Sequence, residues 1–158
     1  MAKELETGCC PRFNPAPWDD KEITWNNKLF VKDHVTSLFH IPLNFGRVIS
    51  KMMKKIKAVD DIDKDTVVLS DENSMLGSDL YVSVKKEIPN AVNTTISGTF
   101  LTKVFEGPYK DMSRWIKEMK DFVASKDKVI KKLYFYYTTC PKCAKAYGKN
   151  HVVIFAKV

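Results

Sequence analysis

Residues 98–123, GTFLTKVFEGPYKDMSRWIKEMKDFV, read as a strand, a tight corner and a helix, and an earlier version of the same passage runs from His34 to Ile56. Laying VTSLFHIP (35–42) over LTKVFEGP (101–108) aligns a threonine, a phenylalanine and a proline at a constant offset of 66 residues. Past the corner the offset becomes 67, and Phe45, Val48, Ile49, Met52 and Ile56 answer Met112, Trp115, Ile116, Met119 and Val123. Both sets fall at the i, i+3, i+4, i+7, i+11 spacing of one helical face, so each helix has one side to bury. Proline suits a first helical turn, where its missing N–H costs nothing, and Pro42 and Pro108 are expected to open the two helices. A self-match of this kind points to tandem duplication.

Working outward, Pro11, Pro15 and Pro17 mark residues 1–20 as an irregular lead-in, with a short edge strand expected at Glu22 to Trp25. A long strand is expected over 28–40, a helix over 44–57, a strand over 66–70, a loop rich in turn formers over 71–78 and a strand over 79–85. The second copy gives a strand over 94–106, a helix over 109–124 and strands over 129–138 and 151–157. Residues 21–158 therefore read as one domain, with repeat one at about 28–87 and repeat two at about 93–158. The expected fold class is α+β: a tandem duplication of a β-α-β-β unit, an antiparallel sheet with two helices packed on it, and a groove between pseudo-twofold halves. Such a groove is a natural place for a small ligand.

The formal net charge is +7 over 158 residues, but the lysines are interleaved with acids. The densest basic stretch, Arg47 to Lys57, surrounds an apolar stripe and is followed at once by Asp60, Asp61 and Asp63. That distribution reads as a solvated helix face, and no nucleic-acid partner is expected. No run has the length of a transmembrane helix, and the first residues lack the apolar segment of a secretory signal, so the expectation is a cytoplasmic protein with no membrane partner. The four cysteines fall in two tight pairs, Cys9-Cys10 and Cys140-Pro-Lys-Cys143. The second pair has the spacing of half a zinc site; Cys9 and Cys10, or His151, would have to complete it. A redox dithiol and no special role are the alternatives. No Gly-rich phosphate loop, serine nucleophile elbow or His-Glu-x-x-His helix is present, so no cofactor is expected, with zinc as the alternative.

Val104-Phe105-Glu106-Gly107-Pro108-Tyr109, entering a helix with Trp115 on its apolar face and preceded by a degenerate copy of itself, resembles the GyrI-like small-molecule-binding domain. That SOUL/GyrI-type fold is also the effector-binding part of multidrug-sensing regulators. The resemblance covers roughly residues 25 to 158. It implies a duplicated β-α-β-β fold whose central groove takes hydrophobic or cationic drug-like molecules, and some stand-alone members are hydrolases that open reactive electrophiles. Effector domains of the family usually carry a buried glutamate on the strand after the second helix; here that place is near Phe135 and holds no acid, which argues against cation sensing. The lead-in cannot supply a helix-turn-helix, so a stand-alone member is expected.

His40 and Glu106 hold equivalent places in the two copies, and a histidine with a carboxylate is a minimal acid/base pair for adding water to an electrophile. Tyr134, Phe135, Tyr136 and Tyr137 form an aromatic strand in which alternate residues share a face. Tyr81, Glu106, Tyr109, Trp115, Tyr134, Tyr136 and Tyr137 are the candidate ligand contacts, although Trp115 reads first as a core residue of its helix stripe. The expected function is a stand-alone binder of a small hydrophobic or amphipathic molecule. The alternatives are a hydrolase using His40 and Glu106, and a zinc-stabilised interaction protein holding metal through Cys140, Cys143, Cys9 and Cys10.

Overall fold

The computed structural model describes residues 15–38, 41–42, 45–58, 67–74, 77–138 and 151–158. It is α+β, with antiparallel strand pairs and two helices: β1 (Lys21–Leu38), β2 (Ile41–Pro42), α1 (Phe45–Ala58), β3 (Val68–Ser74), β4 (Gly77–Ser83), β5 (Val92–Glu106), α2 (Met112–Ser125), β6 (Lys132–Tyr137) and β7 (His151–Lys157). Two compact units divide the chain: a first unit, Trp25–Ser97, and a second unit made of Met1–Thr24 with Gly98–Val158.

In the first unit β1 pairs with β4 from Phe30↔Ser83 to Thr36↔Gly77, and β4 pairs with β3 at Leu69↔Tyr81 and Asp71↔Asp79. Strand alternation sends Val31, Val35, Leu80 and Val82 to one face, where Val48, Met52 and Ile56 of α1 close over them with Ile88. Each such side chain taken fully from water contributes about 1.5–3 kcal/mol, which is why a helix with so polar an outer face holds here. The other face carries Phe30, Lys32 and His34 of β1, Tyr81 and Asp79 of β4, and Leu69 and Asp71 of β3. Phe30 lies edge-on to Tyr81 at 6.3 Å and tilted against Trp25 at 5.6 Å.

In the second unit β7 is central, pairing with β5 from Phe100↔Lys157 to Glu106↔His151 and with β6 from Lys132↔Lys157 to Tyr137↔Val152. Leu101, Phe105, Phe135, Val152, Ile154 and Ala156 face α2, whose Trp115, Met119 and Val123 complete the core. Trp115 stacks on Phe105 with ring centroids 5.8 Å apart. Helix α2 stops where Asp127 takes φ 56° and its amide turns back to the Ala124 carbonyl at 3.0 Å, a left-handed C-terminal cap.

Several boundaries differ from the sequence reading. Pro42 lies in β2, paired with Ser37, so it does not open α1, which begins at Phe45. Pro108 leads a 3-10 turn, Tyr109–Asp111, in which its carbonyl accepts the Asp111 N–H at 3.0 Å, and α2 starts only at Met112. The separate edge strand at Glu22 to Trp25 is the beginning of β1. Asn27, at φ 54°, sits inside that strand and hydrogen-bonds through its N–H to Ser97 Oγ at 2.7 Å. The loop expected from Asp71 is strand as far as Ser74.

Candidate functional site

In each unit the sheet face turned away from the helix carries a histidine across from a carboxylate on the neighbouring strand. In the second unit the pair is Glu106 of β5 and His151 of β7, in direct register, with Oε2 3.7 Å from Nε2. The histidine is sheltered at 15% exposure and the carboxylate stands out at 55%. The backbone builds this end of the sheet firmly: the Thr138 hydroxyl donates to the His151 carbonyl at 2.8 Å, ending the β6–β7 ladder. On the other side Gly107 takes φ +142°, turning the chain at the one place where a Cβ would come within 3.4 Å of the Trp115 ring. The corner thus fixes Glu106 as the last strand residue before α2.

Behind the pair, strand alternation places Val104, Val153 and Tyr136 in one cross-strand row and Thr102, Phe155 and Tyr134 in the next. Residues 15–20 lie against these rows. The Trp18 ring is 6.1 Å from Tyr136, edge-on, and 5.4 Å from Phe155. The Trp18 carbonyl accepts the hydroxyl of the fully buried Thr102, a group that needs such a partner, and Asp19 Oδ1 accepts the Val104 N–H at 3.2 Å. Lys103 Nζ meets Asp20 Oδ1 at 2.8 Å. Trp18, Tyr136 and Val104 stay partly accessible, so they form an apolar shelf that leads to Glu106 and His151. A carboxylate and an imidazole at the end of an apolar shelf can pass a proton between water and a bound molecule.

The first unit's pair is His34 of β1 with Asp79 of β4, Nδ1 to Oδ1 3.1 Å. Here the acid is sheltered at 22% and the histidine is exposed at 62%. Asp79 also faces Lys32 Nζ at 3.7 Å, and Lys32 lies over the Tyr81 ring at 5.7 Å. The buried Asp71 stands opposite Asp79 on β3.

Of the residues singled out in the sequence, Glu106, Tyr136 and Tyr134 fall on one face of the second unit. Tyr134 is buried beside Phe100 at 6.1 Å, whereas Tyr136 reaches the shelf. Trp115 lies in the core, 2% exposed and stacked on Phe105. Tyr81 belongs to the first unit and is buried against Phe30. His40, Cys9, Cys10, Cys140 and Cys143 lie outside the described residues, as do the side chains of Tyr109 and Tyr137. Among the described residues no group of three or more His, Cys, Asp or Glu could hold a metal ion, and no helix is long and apolar enough to cross a membrane. His151 is the partner that sequence reasoning missed. It was visible only as a spare metal ligand, and pairing it with Glu106 required the register of β5 on β7.

A family model described as bacterial hydrolase matches residues 1–158. No curated protein matches the chain in sequence. Among solved structures, the C-terminal domain of EcmrR superposes with a TM-score of 0.67 at 8% identity, covering 89% of this chain and 96% of that one. A hydrolase from Listeria innocua superposes with a TM-score of 0.59 at 9% identity, covering 87% of this chain and 90% of that one. At such identities the likeness is one of fold. It agrees with the GyrI-like resemblance read from the Gly107-Pro108 corner.

Proposed function

The chain belongs to the bacterial hydrolase family, and on that premise we propose that it takes up a small, largely apolar molecule on the Trp18–Tyr136 shelf of the second unit. The observation that carries this reading is the shelf itself. Two accessible aromatic rings 6.1 Å apart meet edge-on beside a histidine–carboxylate pair, which is apolar contact area ending in a few convergent polar groups. The tandem duplication read from the sequence is part of the proposal. It is supported by the shared β-α-β-β order of the two units and by their shared pairing, in which the last strand of each sits between the other two. Binding is tested by titrating styrene oxide's stable analogue 1-phenylethanol while following tryptophan fluorescence. Quenching in the wild type that disappears in Trp18→Phe and persists in Trp25→Phe supports the shelf; the reverse pattern refutes it.

A second reading, hydrolysis, is favoured by Glu106 and His151 and by the family. Water adds to an electrophilic carbon as its bond to a leaving oxygen breaks. One member of the pair accepts the water proton and the other holds the charge so formed, until the proton passes to the leaving oxygen. The 3.7 Å separation is looser than a hydrogen bond and is of the kind that closes when substrate excludes water. For an epoxide the product is a diol, and no oxidant, reductant or cofactor is required. Diol formation from styrene oxide above the solution rate tests it; thermal stabilisation by 1-phenylethanol with no turnover leaves binding alone.

A further inference from the structure

The first unit contains an open cleft of about 380 Å³ between α1, the middle of β1 and the segment entering β5, and this cleft shares no residue with the shelf. Its volume lies in the range, roughly 300–1,000 Å³, of small-molecule sites. Val31 and Met52 underlie it within the core, Ala91 and the exposed Val92 form its apolar wall, and Lys51 and Lys55 stand on the α1 side. The wall is preorganised. Asn93 closes the 88–93 turn by accepting the Ile88 N–H at 2.9 Å and donating to the carbonyls of Ile88 at 3.0 Å and Ala91 at 3.2 Å. Lys55 Nζ then donates to the Asn90 carbonyl at 2.6 Å, which anchors an ammonium across the mouth while using one of its three N–H donors.

Lysines outnumber acids in the lining. Lys32 is among them, but its side chain lies on the opposite sheet face, over the Tyr81 ring with its ammonium at Asp79. Asp33 is the one acid in the lining, and its Oδ1 is taken by the His34 N–H at 2.8 Å. Lys51 and Lys55 against the one carboxylate of Asp33 leave a positive charge in excess beside the apolar wall. We infer that this cleft is a binding site for a small monoanion with an apolar tail, of the medium-chain carboxylate class, the carboxylate meeting Lys51 and Lys55 and the tail covering Ala91 and Val92. The inference does not depend on the shelf reading.

Octanoate, octanol and octyltrimethylammonium, titrated into the full chain labelled with nitrogen-15, separate charge from tail. The expected result is octanoate-dependent amide shifts over Lys51–Lys55 and Asn90–Val92, with octanol about tenfold weaker and the cation weaker still, as expected when one ion pair is lost. Lys51→Glu and Lys55→Met should each weaken octanoate about tenfold at an unchanged melting temperature, while Glu106→Gln binds it like the wild type. Equal binding of the three probes, shifts confined to other residues, or full octanoate affinity in Lys51→Glu would overturn the assignment. Should Lys55→Met prove unstable through loss of the Asn90 contact, Val92→Asp serves instead, since it places a like charge at the rim without touching that contact.

Discussion

The two histidine–carboxylate pairs occupy matching strand pairs, yet they are built in opposite senses. In the first unit the carboxylate of Asp79 is half-sheltered and has both His34 and Lys32 within ion-pair reach, while the imidazole faces water. Its charge is already answered, and an ion pair of this exposure is worth about 0–1 kcal/mol. In the second unit it is the imidazole of His151 that is sheltered, and the carboxylate of Glu106 that is presented at the end of the Trp18–Tyr136 shelf. The difference teaches that a shared architecture sets where such a pair can stand, whereas the neighbours decide whether it is occupied with structure or left to act on something else.

The sharpest contrast is in the helix seats. Trp115 and Val48 occupy equivalent positions of the two stripes, and both are buried. Trp115→Ala should cost about 3–5 kcal/mol, because the Phe105 stack is lost and a cavity is left. Val48→Ala should cost no more than about 1.5–3 kcal/mol. Urea denaturation followed by circular dichroism measures both, and equal losses would break the comparison.

The corner residue comes next. Gly107→Ala forces an L side chain to φ +142°, which should cost about 1–3 kcal/mol, and it should loosen Glu106 as well. An alanine variant as stable as the wild type would show that the corner relaxes freely. Smaller again is the difference between the tryptophans. Trp18→Ala removes ring contacts with Tyr136 and Phe155, and Trp25→Ala removes one with Phe30 together with the Lys28 ammonium over its ring; at about 0.5–1.5 kcal/mol per aromatic pair and about 0.5–1 kcal/mol for an exposed cation–π contact, Trp18 should cost slightly more. Asp79→Asn should have the smallest effect, about 0–1 kcal/mol, and a larger loss would mean that the first unit's pair holds more than itself together.

The parts of the molecule written in a single local period were legible. The stripes Val48, Met52, Ile56 and Trp115, Met119, Val123 are the buried faces of α1 and α2, because helix burial depends on spacing that any window of sequence displays. What failed was punctuation. Asn26-Asn27 reads as a break, but the positive φ of Asn27 is absorbed inside β1, as happens where an irregularity kinks a strand without ending it. Asp71 reads as the start of a loop, yet its cross-strand partner Asp79 holds it in β3, pairing having overruled propensity. The site was half legible. Glu106 stood out beside its corner, but its neighbour His151 is set by the register of two strands far apart in sequence, and His40, its counterpart by equivalence between copies, lies outside the described residues.

On the hydrolase reading, the proposal that the second unit carries the acting pair is tested most directly by measuring diol formation from styrene oxide in wild type, Glu106→Gln and Asp79→Asn under one set of conditions. Both changes preserve shape, and Glu106 is exposed enough that its fold should be unaffected. The prediction is turnover in the wild type, a loss of about a hundredfold or more in Glu106→Gln, and wild-type rates in Asp79→Asn. Turnover that survives in Glu106→Gln and vanishes in Asp79→Asn would contradict it.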